Sequence, residues 1–166
     1  MINIDFYTDY EDELNLNKYN KFLEEYKEKI NKIVEEALKL NDINIEEVYL
    51  GIGIVTSEEI HRLNKEHRNV DRITDVLSFP MFTEDELKNV DKVYLDEEEL
   101  SIGDIVICLD VIEKQAEEYG TGFSREMLYM VTHGICHLLG FDHIEENDKI
   151  KMRDMEEKIL SKIGEI

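Results

Sequence analysis

The sequence predicts one α+β domain over residues 1–166, with a small mixed β-sheet packed against about five helices. Three observations predict it. Strand-like and helix-like stretches follow one another in the order β-α-β-α-β-loop-β-α-α-α. The chain of 166 residues is long enough for one substantial core and too short for two. No internal repeat or linker interrupts it.

Each element has its own local reason. Ile2, Ile4 and Phe6 alternate with polar residues, which suggests a short first strand. Asp9 to Asn17 is acidic and reads as a turn. From about Lys18 to Leu40, Phe22, Tyr26, Ile30, Ile33, Val34, Ala37 and Leu38 recur at helical spacing, and Asn41-Asp42 ends that helix. Val48 to Val55 alternates as a strand, and its two glycines mark close approach by a neighbour. Thr56 and Ser57 are N-cap candidates for a helix carrying Ile60 and Leu63 inward, with Glu58 and Glu59 favourably placed in its first turn. Val76 to Phe79 reads as a strand ended by Pro80, the single proline. Thr83 to Leu100, rich in Asp and Glu, reads as a solvated acidic loop. Ile102 to Leu109 is a continuous apolar run, the mark of a buried central strand, and Asp110 is expected to cap a helix over Val111 to Tyr119 that Gly120 closes. Ser124 is expected to start the next helix and Asn147 or Asp148 the last, whose apolar stripe would be Ile150, Met152, Met155, Ile159 and Ile163.

The chemistry concentrates in Thr132 to His143, T-H-G-I-C-H-L-L-G-F-D-H, which holds three of the five histidines. The apolar residues ahead of it and Gly140 behind it predict a buried helix that stops at a glycine cap. Four residues turn a helix by about 400° and raise it by about 6 Å, so His133 and His137 share a face and can clasp one ion, with His143 returning from beyond the turn. Three neutral imidazoles with a position left to water make a catalytic type of zinc site, although such ligation also suits nickel, copper or iron. The spacing matches the metzincin protease motif H-E-x-x-H-x-x-G-x-x-H, but the peptidase base is replaced by Gly134. Cys136 inside the motif reads as a small buried residue, with a sulfur ligand as the less favoured alternative.

Composition narrows the partners. Nineteen Lys and Arg against forty Asp and Glu give a net charge of -21, a long-range field that repels phosphates. A nucleic-acid substrate would need a local positive patch. His61 to Arg72 is the one such stretch, where Arg62, Lys65, Arg68 and Arg72 outweigh Glu66 and Asp71 by two charges. Two cysteines, no signal peptide and no apolar run of membrane-spanning length lead us to expect a cytoplasmic protein that does not engage a membrane.

H-G-I-C-H-L-L-G-F-D-H, together with T-D-V-L-S-F-P upstream and I-G-D-I-V-I between them, resembles the bacterial YbeY family of endoribonucleases or rRNA maturation factors, in order and spacing from about Leu63 to His143. The resemblance implies a zincin-like fold, one Zn2+ per chain on His133, His137 and His143, and hydrolysis of single-stranded RNA. Roles in maturing the 3′ end of small-subunit rRNA and in ribosome quality control are implied with it. It also implies a function for Arg68, which stands where the family has an arginine: a guanidinium there could clamp a phosphate and stabilise transition-state charge. Pairing of Arg68 with Asp71 or Asp75 is the structural alternative. The RNA path is then expected along Arg62, Lys65, His67 and Arg72, where His67 replaces a family aromatic and can still stack on a base. Asp142 is expected to orient His143 from outside the metal shell or to accept a proton. Two rival readings stay open: a metalloprotease with a displaced base, and a ribosome-assembly factor whose zinc holds the fold. The acidic surface would let the latter meet a basic small-subunit ribosomal protein or an assembly GTPase.

Overall fold

In the computed structural model, which describes residues 1–88 and 99–165, four strands alternate with six helices. The strands are β1 (Ile2–Thr8), β2 (Glu47–Ile54), β3 (Val76–Pro80) and β4 (Glu99–Ile107). The helices are α1 (Glu13–Leu40), α2 (Ser57–Arg68), α3 (Glu84–Lys88), α4 (Leu109–Tyr119), α5 (Phe123–Leu138) and α6 (Glu146–Lys162). The sheet order is β1-β2-β4-β3, with β1, β2 and β4 mutually parallel and β3 antiparallel to β4. The fold is therefore α+β around a mixed sheet, and the apolar run read as a central strand is the interior strand β4.

Side-chain alternation in β4 divides the core. Ile105 and Ile107 join the main cluster with Ile30, Ile33 and Val34 of α1, Val131 and Ile135 of α5, and Met152 and Ile159 of α6. Val106 and Cys108 turn to the other face, where Ile60 and Leu63 of α2 meet Leu77 and Phe79 of β3. The strand's period of two thus lets one apolar run serve both faces. The β2 glycines mark a close approach, as their pattern suggested: the Tyr7 ring lies over Gly51 and Gly53, with its atoms 3.2 and 2.4 Å from where a Cβ would stand. A register shift between Tyr49 and Leu50 bulges β4 at Ile102. The following Gly103 has φ +130°, and a Cβ there would fall 2.2 Å from the Phe79 carbonyl oxygen.

Several boundaries differ from expectation. Helix α1 starts at Glu13 rather than near Lys18 because Asp12 accepts the Asn15 backbone N–H at 2.8 Å, so the supposed turn is a capped first helical turn. The acidic stretch from Thr83 contains α3: the Thr83 hydroxyl accepts from Glu86 N–H at 3.2 Å and the Glu86 carboxylate accepts from Thr83 N–H at 3.3 Å, a capping box. Of its remainder, 89–98 lies outside the described residues, and Glu99 and Leu100 open β4 rather than belonging to a loop. Helix α4 begins at Leu109 with Cys108 at the N-cap, so Asp110 stands in the first turn rather than at the cap. Helix α5 starts at Phe123, one residue early. Helix α6 starts at Glu146, and Ile150 is 55% exposed rather than on the buried stripe. Among the described residues, no helix is long and apolar enough to cross a membrane.

Candidate metal centre

Helix α5 lies against β4 because Gly134 lets it. A Cβ at Gly134 would stand 3.0 to 3.3 Å from three atoms of Ile105, so the position that carries the peptidase base elsewhere faces a filled core. Cys136 is also buried in that core, and burial pushes its thiol far above the ordinary cysteine range, which keeps it a packing residue. The adjoining face of the same helix carries His133 and His137, half-buried at the floor of a cleft.

The helix stops where the glycine predicts. The Gly140 N–H donates to His137 O at 3.1 Å and the Phe141 N–H to Cys136 O at 3.0 Å, the paired bonds of a Schellman turn, with Gly140 at φ +96°. A Cβ on Gly140 would fall 2.6 to 2.8 Å from Glu84, so the same glycine also admits the start of α3. This turn brings His143 back over the helix. One donor atom from each of His133, His137 and His143 lies within 4.8 Å of the others, and among the described residues these three form the metal-competent cluster.

Hydrogen bonds fix which nitrogens face inward. His133 Nδ1 is 3.1 Å from Glu156 Oε2, a carboxylate only 3% exposed. His137 Nδ1 is 2.9 Å from the Phe141 carbonyl oxygen. Each acceptor requires an Nδ1–H donor, which leaves both Nε2 lone pairs free. Those Nε2 atoms are 3.2 Å apart. Two nitrogens on one tetrahedral zinc at about 2.0–2.1 Å would be about 3.3 Å apart, so this pair fits an ion of that kind. Burial, and secondarily the neighbouring His133, holds the His137 imidazole below its ordinary pKa, partly opposed by the Phe141 carbonyl. A depressed pKa keeps the ring neutral, the state a ligand needs. The His143 ring stacks near His133 at 5.6 Å and 15°, and Tyr129 stacks on His133 at 6.3 Å and 23°.

Arg68, the last residue of α2, opens into the same cleft of about 650 Å³. Asn69 turns the chain there in the left-handed conformation, and buried Asn64 secures the following loop by donating to Arg72 O at 2.9 Å. Among the described residues Arg68 has no ion-pair partner, so the expected alternative of pairing with Asp71 or Asp75 is not formed. Asp142 also lines the cleft, and its carboxylate accepts the His143 backbone N–H at 2.7 Å, which fixes the loop rather than the ring.

The other expected contacts stand elsewhere. Arg62 is bound to Glu59 at 2.5 Å and Glu66 at 2.6 Å on the exposed side of α2. His67 packs edge-on against Phe79 at 5.2 Å, in a separate cavity with Tyr7 and Asp104. Lys65 and Arg72 do not line the histidine cleft. Sequence reasoning missed Glu156, although a signal existed: it occupies the buried face of α6 between Met152 and Ile159, where an acidic residue is out of place.

Known proteins resemble this chain in sequence and fold. The family profile described as Endoribonuclease YbeY matches residues 13–164. A Clostridium botulinum protein named Endoribonuclease YbeY is 43% identical over 147 residues, covering 83% of this chain and 88% of that protein. A Clostridium perfringens protein of the same name is 42% identical over 159 residues, covering 89% and 94%. A solution structure of a Thermotoga maritima protein is similar with a TM-score of 0.59 and 30% identity, covering 98% of this chain and 89% of that one.

Proposed function

This chain belongs to the Endoribonuclease YbeY family, and from that premise we propose that its 1–166 domain, of zincin-like fold, is a zinc-dependent endoribonuclease. Its substrate is single-stranded RNA. The proposed setting is the cytoplasm, where the enzyme matures the 3′ end of small-subunit rRNA and serves ribosome quality control, in contact with a small-subunit ribosomal protein or an assembly GTPase. The observation that carries the reading is the cleft in which three imidazoles with inward-facing nitrogens and Arg68 converge.

When bound, one zinc ion per chain held by His133, His137 and His143 supplies Lewis acidity and an acidified water. The chain's own residues do the rest. Glu156 fixes the His133 tautomer and raises its basicity, and the Phe141 carbonyl does the same for His137. Asp142 holds the loop that presents His143. Arg68 meets a non-bridging phosphate oxygen and stabilises the charge that grows there in the transition state. The attack comes either from a water activated by a basic group or from the ribose 2′-OH as internal nucleophile, and product ends decide: a free 3′-OH or a 2′,3′-cyclic phosphate.

Gly134 weighs against a peptidase, since Ile105 fills the space a glutamate would need. The exposure of His143 and the absence of a fourth protein ligand among the described residues weigh against a purely structural zinc. The test is cleavage of unstructured RNA by the zinc-loaded protein before and after chelation. Activity that chelation abolishes and zinc restores is the expected result, and cleavage indifferent to chelation would defeat the proposal.

A further inference from the structure

A strand of RNA meets few cations on a chain that carries -21, and Arg68 is the single lysine or arginine among the described residues that line the histidine cleft. The basic residues of α2 do not extend the path, because Arg62 is committed to Glu59 and Glu66 and neither Lys65 nor Arg72 lines that cleft. Further guanidiniums come instead from α5 and α6. Arg125 and Arg153 line a second cleft of about 540 Å³, formed with the end of α4. Asp75, Tyr129 and Met130 line both clefts, so the two adjoin along those residues.

Tyr129 ties the second cleft to the metal centre. Its ring stacks on His133 with centroids 6.3 Å apart, and its hydroxyl faces Glu156 at 3.5 Å. Burial, and then the Glu156 charge, raise the Tyr129 phenol above its ordinary pKa, while the Arg153 guanidinium stands near enough to oppose them. Arg125 and Arg153 are both exposed, and among the described residues neither is held in an ion pair. The carboxylates around them are largely occupied. Glu126 accepts the Thr121 hydroxyl at 2.7 Å, Glu165 binds Lys29 at 3.0 Å, and Asp75 accepts the Val76 backbone N–H at 2.8 Å. Buried Leu128 and Leu160 give the cleft an apolar wall, and Tyr119 lines it with a side chain 66% exposed. Unpaired guanidiniums suit phosphate oxygens, and an exposed aromatic face suits any base. The volume is that of a small-ligand pocket.

Resting on the reading of the histidine site as an RNA-cleaving centre, we propose that the adjoining cleft binds a nucleotide that flanks the one cleaved. Arg125 and Arg153 hold its phosphate and Tyr119 stacks on its base, while Arg68 keeps the scissile phosphate. The RNA path then runs from the metal past Tyr129 to α5 and α6, and not along α2. These three residues bind substrate and transition state alike, so their loss falls on KM and spares kcat.

The test uses the zinc-loaded full chain and a 5′-fluorescein 12-nucleotide unstructured RNA. Anisotropy is recorded before turnover from 50 to 300 mM KCl, and steady-state cleavage is followed on the same RNA. The double variant Arg125→Gln, Arg153→Gln should flatten the slope of log K against log salt by about 0.7, the contribution of one phosphate on a single strand. Its KM should rise at least about tenfold, the lower end of what hydrogen bonds to a charged group supply, with kcat within about twofold. Lysine at both positions should restore the slope. Lys27→Gln with Lys32→Gln makes the same charge change on exposed positions of α1 that line neither cleft, and should leave slope and KM as they were. Tyr119→Ala should weaken binding at least about fivefold at unchanged slope, the lower end of what one base gains by stacking on an aromatic ring. Native slope and KM in the arginine variant, or an equal change in the α1 control, would overturn the inference. So would a loss confined to kcat and zinc content, which would make Arg153 a prop for Tyr129 and His133. RNA cut with native KM by the arginine variant leaves the activity standing and removes the subsite, whereas binding that flattens and weakens as described without any cutting does the reverse.

Discussion

Replacing Glu156 by glutamine separates metal tuning from folding. The carboxylate is 3% exposed and accepts from His133 Nδ1 at 3.1 Å, with the Tyr129 hydroxyl at 3.5 Å. The Glu156→Gln amide would keep the shape and one acceptor oxygen but lose the charge that makes His133 a better electron donor. Removing such a partner from a metal-ligating histidine typically lowers affinity about 10–100-fold, or about 1.4–2.7 kcal/mol. The metal-free fold should respond differently. A buried carboxylate is costly to desolvate, so a neutral isostere should hold the apo melting temperature within about 3 °C. Zinc affinity by competition with a chromophoric chelator, and apo melting by circular dichroism, measure the two effects apart. A zinc Kd within twofold of the native protein would refute the role given to Glu156. A large fall in apo stability at unchanged Kd would make it a packing residue alone.

Other consequences are equally direct. Gly134→Glu, which restores the peptidase motif on paper, should destabilise the fold by about 3 kcal/mol or more, or ~6–12 °C in Tm, because the side chain would be driven into Ile105; a stable variant with peptidase activity would contradict the packing described. Gly103→Ala should cost a similar amount in urea denaturation, since φ +130° and the Phe79 carbonyl both exclude a Cβ. Because the His137 pKa is depressed in the fold, the unfolded chain binds the extra proton first, so apo stability should fall as pH drops from about 6.5 through the lower folded value. Urea midpoints at pH 7.5 and 5.5 check this, and His137→Gln should remove part of the difference.

The histidine site was readable because its information is local. His133, His137, Gly140 and His143 lie within one helix and the turn that ends it, where 3.6-residue periodicity and a glycine cap dictate geometry directly. The same holds for β4, whose apolar run, interrupted only at Asp104, announced a strand covered on both faces, and for the β2 glycines beneath Tyr7. What depends on distant pairing was harder to see. Glu156 reaches His133 from another helix, and its burial shows only when the α6 stripe is placed as Met152, Glu156, Ile159 and Leu160, with Ile150 outside it. The basic look of His61 to Arg72 likewise concealed that Arg62 is held by Glu59, a residue just outside the stretch counted. The capping residues Asp12 and Thr83 were local signals hidden within acidic stretches that read as turn or loop.

Zinc content and RNA cleavage of Arg68→Ala, both measured on protein purified without a histidine tag, test the central assignment most directly. About one zinc per chain is expected in native and variant protein alike, with an unchanged melting temperature. A loss of about 10²–10³-fold in kcat is expected with it, the scale on which a transition-state charge stabiliser acts. A variant that cleaves RNA at the native rate, or a native protein that cleaves it after zinc is stripped, would contradict the account.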